Sequence, residues 1–520
     1  MKKIFVFAIC MIACYSISAQ DDFDDFKADF DKFKEETEKE YDNFREQCNA
    51  EYAQFLKEAW EAFDGLPGVK KPKDQQRLPQ DVVDKLQKGG GTKDSSPKGK
   101  SAQKDVEIRV GEVVTATQLQ EGVKRPEPVS RFLFFGKKKP KAEEKEKEEV
   151  PAEEPLTFEF YGTQMTVHPG DLKRKLSLPD TGNEAVGAAW ELCSLPAYTE
   201  LLSDCLHLRD AYHLCDWAYL QMLKAMTDTY FGADTNESVF LTAYIYCQSG
   251  YQMRLAQTDN RLIVLYATDH GIYDQSFYTL NGQHFYPFAQ KGELGRIRIC
   301  NHVFPKEQAM SLLVPEEPLF SQDKPKVRTI QSREFPELQI TVSVNKNLID
   351  FFEKYPTSNL NDNFLTRWAM YANTPLDEDV KAQIYPILQE KLKGLSEREA
   401  VSKLLSLLQS GLVYKYDEDV WGEDRAFFAE ETLFYPYADC EDRSILFSRL
   451  VRDVLGLKAV LIYYPNHLAT AVHFNEKIKG DYIMLNGERY LICDPTNYVA
   501  APGVTMEGMD NSKAKAIVLN

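Results

Sequence analysis

The sequence predicts an α+β protein with more than one folded domain. Its 520 residues exceed what one hydrophobic core usually organises. Segments with apolar residues at helical spacing alternate with short runs in which every second residue is apolar, which is typical of strands. Asn281-Gly282 lies between two such runs and is a strong signal for a β-hairpin. We therefore expect two α+β regions, preceded by an N-terminal helix and disordered linkers.

Residues 1–19 have the pattern of an export signal. Lysines precede the apolar stretch from Ile4 to Cys14, and Ala19 is the expected cleavage position. A lipoprotein anchored through Cys14 is the alternative. No later segment is long and apolar enough to be a membrane span. We expect the mature chain to be exported, either periplasmic or secreted.

Residues 20–65 predict a charged amphipathic helix. Aromatic residues recur at spacings of three and four, as in Phe23, Phe26, Phe30 and Phe33, and form one narrow stripe. The stripe drifts out of strict heptads. Docking of this helix on its own protein is therefore favoured over a coiled coil, with contact to a partner protein as the alternative.

Residues 66–155 predict mostly disordered linkers with short strands near 106–135. They contain a Gly/Ser/Lys-rich run and a mixed-charge block with proline, neither of which can bury enough surface to fold. The net charge of the chain is −18, whereas a nucleic-acid partner requires clustered Lys and Arg. We therefore expect a protein or peptide partner and no nucleic acid.

Residues 156–345 predict a middle α+β domain and residues 346–520 a C-terminal one. The middle region opens on a hairpin pattern, continues with helical segments to Phe231, and then reads as paired strands. The C-terminal region opens with two amphipathic helices. A third helical pattern runs from Cys440 to Gly456, and strands follow it.

Cys440 stands at the start of that third helical pattern. Unpaired N–H groups and the dipole at a helix N-terminus stabilise a thiolate, so we expect a partly exposed and activated cysteine. The neighbouring acids Asp439, Glu441 and Asp442 oppose this effect. A nucleophilic thiol also needs a base and a group that orients the base. His467 begins one apolar strand and Asp494 ends another, so a Cys–His–Asp triad can form where they meet.

Three short blocks around these residues resemble the transglutaminase-like superfamily of papain-like cysteine enzymes. They are "ADCEDRS", "HLATAV" and "CDPTNY", in the family's order and at compatible spacing. The resemblance covers about the last third of the chain. It implies a papain-like fold in which Cys440 is the nucleophile, His467 the general base and acid, and Asp494 the residue that holds the imidazole.

The same resemblance implies an oxyanion hole that uses the backbone N–H of Cys440. Trp421 and Tyr435 are candidates for the second donor. The sequence departs from the family pattern at Ala438 and Leu468, which puts substrate contacts in doubt more than the triad. No metal and no cofactor is expected.

Other histidines and cysteines have simpler interpretations. His473 lies on the same strand as His467 and is interpreted as structural or as a surface residue. Cys493 adjoins Asp494 and is interpreted as a buried small hydrophobe. Within "CLHLRDAYHLC", Cys205 and His207 cannot share one helix face, so this segment predicts a core helix rather than a zinc site.

The middle region shows a weak internal repeat with the C-terminal region. Gly250 aligns with Gly456 at an offset of 206, and "LNGQHFYPFA" aligns with "LNGERYLICD" at 205. The triad positions then correspond to Asp234, Arg261 and Ala289. The middle domain is therefore predicted to be a degenerate copy of the catalytic domain, with chance similarity as the alternative.

These observations predict an exported cysteine-dependent amide-bond hydrolase or acyltransferase acting through a thioester. A peptidase or amidase is favoured over protein cross-linking, because water needs no dedicated acceptor pocket. The alternative is a non-catalytic transglutaminase-like protein for binding or assembly in the cell envelope.

Overall fold

The computed structural model describes residues 20–72, 104–116, 122–129, 154–289 and 294–520. The fold is mixed α and β, as the sequence predicts, and its larger sheets are curled. The export signal, Cys14, and most of the linker residues lie outside the described residues, so those predictions stay predictions. Within the described residues, no helix combines the length and the apolar character needed to cross a membrane.

The helices are α1 Gln20–Lys57, α2 Leu172–Lys175, α3 Asn183–Cys193, α4 Thr199–Ala211, α5 Asp216–Phe231, α6 Asn236–Gln248, α7 Lys346–Phe352, α8 Thr366–Asn373, α9 Glu378–Leu392, α10 Glu397–Gly411, α11 Asp417–Val420, α12 Ala429–Phe434 and α13 Cys440–Leu455. The strands are β1 Glu61–Phe63, β2 Val106–Glu107, β3 Glu112–Val114, β4 Leu156–Phe160, β5 Thr163–Val167, β6 Met253–Thr258, β7 Arg261–Ala267, β8 Gly271–Ile272, β9 Tyr278–Leu280, β10 Gln283–Pro287, β11 Ile297–Ile299, β12 Arg328–Gln331, β13 Gln339–Val342, β14 Ser358–Asn359, β15 Ala459–Tyr464, β16 His467–His473, β17 Asp481–Leu485, β18 Glu488–Cys493 and β19 Lys515–Val518.

The C-terminal end of the N-terminal helix packs on the protein itself, whereas the side chains of the predicted stripe, Phe23, Phe26, Phe30 and Phe33, lie outside the described residues. Tyr52 and Leu56 of α1 are buried, and Asn49 accepts a hydrogen bond from the indole of Trp190 at 3.0 Å. Gly187 of α3 lets the helices approach closely, because a Cβ there would lie 2.4 Å from the Lys57 side chain. The helix ends at Lys57, earlier than the predicted residue 65. The chain then turns into β1, which pairs with the edge strand β11 of the middle sheet.

The middle and C-terminal sheets share one topology. The middle sheet has the strand order β1-β11-β6-β7-β10-β9, and the C-terminal sheet has β2-β17-β18-β16-β15-β19-β3. When β6, β7, β9, β10 and β11 are matched to β15 through β19 in turn, the order of these five strands is identical. Both units place a helix, α6 or α13, immediately before the first matched strand. The predicted internal repeat is therefore present in strand order.

The repeat also extends to pairing register. Strands β6 and β7 begin at residues 253 and 261, and β15 and β16 begin 206 residues later, at 459 and 467. Tyr266 lies opposite residues 253 and 286, and Val472 lies opposite residues 459 and 491. Asn260 and Asn466 have positive φ angles of 59° and 66° in equivalent turns. The pairing registers of β6–β7, β7–β10 and β9–β10 thus match those of β15–β16, β16–β18 and β17–β18.

Residues 104–116, named the strap here, add a strand to each edge of the C-terminal sheet. β2 pairs with β17 at one edge, β3 pairs with β19 at the other, and only residues 108–111 connect them. The two edges therefore lie close together, and Ile108 is buried in the core inside the curled sheet. Short strands were predicted here, but the surrounding 66–155 region was predicted to be mostly linker. The strap is ordered because it gains this long-range pairing.

Candidate active site

Cys440 is the first residue of α13, where the sequence places it. A capping box precedes it: the Asp439 carboxylate accepts the Glu441 N–H at 3.1 Å, and the Asp442 carboxylate accepts the Asp439 N–H at 3.1 Å. Acids in the first turn favour a helix start at this position. Gly456 ends the helix in the left-handed conformation, with φ of 66°.

The side chains of His467 and Asp494 are hydrogen-bonded. His467 opens β16 and Asp494 directly follows β18, and these strands are neighbours in the sheet. The His467 Nε2 to Asp494 Oδ2 distance is 2.8 Å. Asp494 Oδ1 also accepts the N–H groups of Thr496 and Asn497 at 2.8 and 3.2 Å. The carboxylate is therefore fixed, while His467 Nδ1 has no hydrogen-bond partner and can accept a proton.

The sulfur of Cys440 lies beside the strand that carries His467. The backbone N–H of Leu468, the residue after His467, is directed at Sγ. The same residue accepts a hydrogen bond through its carbonyl from the Ser444 hydroxyl of α13 at 2.9 Å. These two contacts dock the first turn of α13 on the start of β16. The thiol of Cys440 therefore lies against the residue that follows His467 in sequence, whereas His467 itself is hydrogen-bonded to Asp494.

The expected partial exposure of Cys440 is wrong. The side chains of Cys440 and His467 have 0% exposure and Asp494 has 2%. Burial raises the pKa of the Cys440 thiol well above its usual value, and Asp439 and Glu441 raise it further. The helix start alone does not activate the thiol, because other elements cover it and remove it from water. In this arrangement the sulfur is a neutral thiol.

A group of buried acids surrounds the thiol. Glu441 Oε2 lies 3.8 Å from Sγ, and Asp417 and Asp424 approach Glu441 from the loop around α11. Arg367 of α8 has 0% exposure and pairs with Asp424 at 2.9 Å and with Glu441 at 3.7 Å. Lys71, from the N-terminal region, pairs with Asp424 at 3.7 Å. Burial raises the pKa of Glu441, while the Arg367 charge lowers it.

These carboxylates are also the groups in the described residues best placed to hold a metal ion. Their donor atoms form three sets: Asp439, Cys440 and Glu441; Asp417, Asp424 and Glu441; and Asp417, Asp439 and Asp442. Asp439 and Asp442 already serve as helix caps. The guanidinium of Arg367 lies against the second set. The residues therefore fit an internal ion-pair network better than a cation site.

The two oxyanion candidates contact each other. The rings of Trp421 and Tyr435 lie 4.8 Å apart, and the Arg425 guanidinium stacks on both of them. The Tyr435 hydroxyl donates to a carboxylate oxygen of Glu353. In this arrangement its hydrogen is therefore not available to a substrate. An oxyanion role for Trp421 stays a prediction.

The remaining histidines and cysteines have structural environments. His473 Nδ1 lies 3.0 Å from the Arg489 carbonyl, and Cys493 is buried in the core between the helices and the sheet. The eight cysteines of the described residues are all buried, and none is in a disulfide. Cys205 points into the middle-domain core while His207 is exposed, as expected for a core helix.

The middle unit has no triad at the equivalent positions. The counterpart of Cys440 is Asp234, which precedes α6 and has a φ of 57°. Asp234 pairs with Lys224 at 2.7 Å and, with Ser238 and Ala289, lines a small cleft. Arg261, the counterpart of His467, is exposed. The position equivalent to Cys440 is therefore occupied by an ion-paired carboxylate.

Sequence reasoning missed the residues that surround the thiol. Arg367 is buried within an otherwise apolar helix face, and such an isolated arginine is a signal for a buried acidic partner. Asp417 and Asp424 lie in a dense acidic run that has the composition of a solvated loop. Their burial follows from long-range packing, which sequence spacing does not reveal.

Comparison with protein-family models, with curated proteins and with solved structures gives no match for this chain.

Proposed function

We propose that this chain is an exported cysteine-dependent enzyme that cleaves amide bonds through a thioester intermediate. The observation that supports it most directly is the 2.8 Å contact between His467 and Asp494, together with the position of the Cys440 sulfur against the backbone N–H of Leu468. Its export rests on the sequence of residues 1–19 alone. Hydrolysis is favoured over transfer to an amine, because water needs no further binding site.

The proposed chemistry gives each group one role. His467 Nδ1 accepts the Cys440 proton, and the resulting thiolate attacks the carbonyl carbon of an amide. His467 then gives the proton to the leaving amine, and the thioester remains on Sγ. Water attacks the thioester as His467 accepts its proton. The C–S bond then breaks, the acid is released, and His467 returns the proton to the sulfur. Asp494 holds the ring with Nδ1 free throughout, and stabilises the imidazolium.

The N–H of Cys440 is the expected oxyanion donor. It belongs to the first residue of α13. The positive end of the helix dipole adds to the stabilisation of a developing oxyanion. Removing one such donor from an enzyme typically slows turnover about 10²–10³-fold.

The second candidate is a non-catalytic binding or assembly protein. It is favoured by the complete burial of Cys440 and by the loss of the triad in the middle unit. A protein that keeps the fold only as a scaffold has no need to expose its thiol. Thiol reactivity and turnover distinguish the two functions.

The test is to profile peptide amides, with and without added amines, using wild type, Cys440→Ala and Cys493→Ala. Cys493 is the matched control because it is equally buried and lies beside Asp494. We expect turnover to disappear in the first variant alone. Equal turnover in all three proteins would exclude the enzymatic function, and products that contain the amine would identify an acyltransferase.

A further inference from the structure

We propose that the strap is an intramolecular cover that keeps the Cys440 site closed and must leave the sheet before a substrate can reach the sulfur. This inference rests on the proposed function, since it concerns access to the same thiol. It assigns a regulatory role to a segment that lies more than 300 residues before the triad in sequence.

The strap contributes to the apolar cluster that contains the thiol. Val114 and Ala116 are buried in the same cluster as Cys440. Val114 lies opposite Ile517 across the β3–β19 pair, and Ile517 and Leu468 belong to that cluster too. Departure of the strap would therefore remove two apolar side chains from the cluster in which the thiol is buried.

The attachments of the strap are of the kind that can be broken locally. β2 and β3 have two and three residues and pair in parallel at sheet edges, whereas the central strands β15 and β16 have six and seven residues. Two surface ion pairs assist: Asp105 with Arg489 at 2.6 Å, and Glu112 with Lys515 at 2.8 Å. Partly exposed pairs contribute little to stability, so the strap belongs to the least stable part of the unit.

A second N-terminal contact reaches the same site from the acidic side. Lys71 pairs with Asp424, which is bound to Arg367, which in turn pairs with Glu441 beside Sγ. The strap and Lys71 both precede the middle unit in sequence. The closed state of the thiol therefore depends on contacts from the N-terminal region on two sides.

The alternative is that the strap only completes the sheet and never leaves it. The two cases differ in how Cys440 labelling by iodoacetamide responds to the strap's attachments. Cys493 is the internal reference, since it is fully buried and belongs to a different core cluster. Opening of the strap raises the Cys440 rate alone, whereas general unfolding raises both rates.

The first experiment reverses the charges of one attachment in the full chain. Glu112→Lys places a positive charge next to Lys515, and the repulsion weakens the attachment of the strap. We therefore expect the ratio of Cys440 labelling to Cys493 labelling to rise about fivefold or more. Lys515→Glu should act alike, and the double variant should return the ratio towards the wild-type value. Glu112→Gln removes the attraction without repulsion and should give a smaller rise. An unchanged ratio in all the single variants would overturn the proposal.

The second experiment locks the strap. Residues 112 and 515 are paired across β3 and β19, so Glu112→Cys combined with Lys515→Cys can form a disulfide. We expect slower Cys440 labelling in the oxidised form and recovery after reduction. Equal labelling of both forms would contradict the cover.

These readouts separate the cover from the enzymatic function, because labelling needs no substrate. If Cys440 labelling responds to the strap variants but the protein has no turnover, the proposed cover is supported and the enzymatic function is excluded. If turnover depends on Cys440 but is the same in both strap variants as in wild type, the enzymatic function is supported and the proposed cover is excluded.

Discussion

Asp494 gives the sharpest test of the site, because asparagine and alanine at this position should affect different properties. Asparagine should lower turnover and leave stability nearly unchanged, whereas alanine should lower stability. Its Oδ1 accepts two backbone N–H groups, and its Oδ2 contacts His467 Nε2 at 2.8 Å. Asparagine keeps a carbonyl oxygen for the backbone donors but presents an NH₂ group to Nε2. The imidazole must then accept through Nε2 and carry its hydrogen on Nδ1, where it can no longer accept a proton from the thiol.

The expected magnitudes follow from these contacts. Asp494→Asn keeps the backbone hydrogen bonds, so its free energy of unfolding should stay within about 1 kcal/mol of wild type. The same exchange in a Ser–His–Asp triad lowers turnover about 10⁴-fold, which is about 5.5 kcal/mol of transition-state stabilisation. Asp494→Ala leaves three buried donors without an acceptor. At about 1–2 kcal/mol each, it should lose about 3–6 kcal/mol of stability.

Two measurements separate the variants. Thermal or urea unfolding gives the stability of each protein. The pH dependence of Cys440 alkylation reports proton transfer to His467, and should move to higher pH in Asp494→Asn although this variant is stably folded. Alkylation in Asp494→Asn that follows the wild-type pH profile would refute the assignment of His467 as the base. Equal loss of stability in both variants would refute the described role of Oδ1.

Three further predictions concern the surroundings of the triad. Arg367→Met removes the guanidinium from the buried Glu441 and the partly buried Asp424, and should cost about 3–5 kcal/mol in a urea titration. Asp424→Asn should restore part of this loss; no recovery would contradict the ion-pair network. Burial raises the pKa of Glu430 to about 7, so the folded state holds a proton that the unfolded state releases near pH 4.5. Stability should therefore fall as pH rises from about 4.5 to 7, and Glu430→Gln should make this fall smaller in melting curves recorded across that range. Tyr435→Phe should change turnover less than about threefold, since its hydroxyl bonds Glu353; a loss of about 10²-fold would instead support an oxyanion role.

Local patterns predicted most of the elements that carry the site. The apolar residues at helical spacing after Cys440 and the glycine at the end of this pattern are short-range signals, and α13 spans the residues they indicate. The hairpin at Asn281-Gly282 and its counterpart at Asn486-Gly487 have positive φ at all four residues, as their sequences require. Such features depend on residues that are close in sequence, so they could be predicted from the sequence.

The environment of the thiol could not be predicted from the sequence. Cys440 is buried in a cluster that also contains Val114 and Ala116 of the strap and residues of α8, all distant in sequence. The same holds for Arg367, whose partner Glu441 lies on another helix. Spacing predicts which residues share a face, but which face becomes covered is decided by tertiary packing.

The similarity between the middle and C-terminal units was predicted in part from the sequence and in part became visible only in the structure. Matching glycines and asparagines at turns suggested it, because turn geometry restricts those positions. Agreement of strand order and register became visible only in the fold. The positions that correspond to the triad hold Asp234, Arg261 and Ala289.

The distance along the chain between the strap and its sheet affects how the protein is made. Asp105 and Arg489, which pair across this contact, are 384 residues apart. At about 5–20 residues per second of synthesis, the N-terminal partner is made about 20–75 s before the strand that receives it. During that time the apolar side chain of Ile108 has no core to enter, and the segment is open to chaperones and proteases. Completion of this sheet is therefore among the last events of folding, and depends on an N-terminal region that survives intact until then.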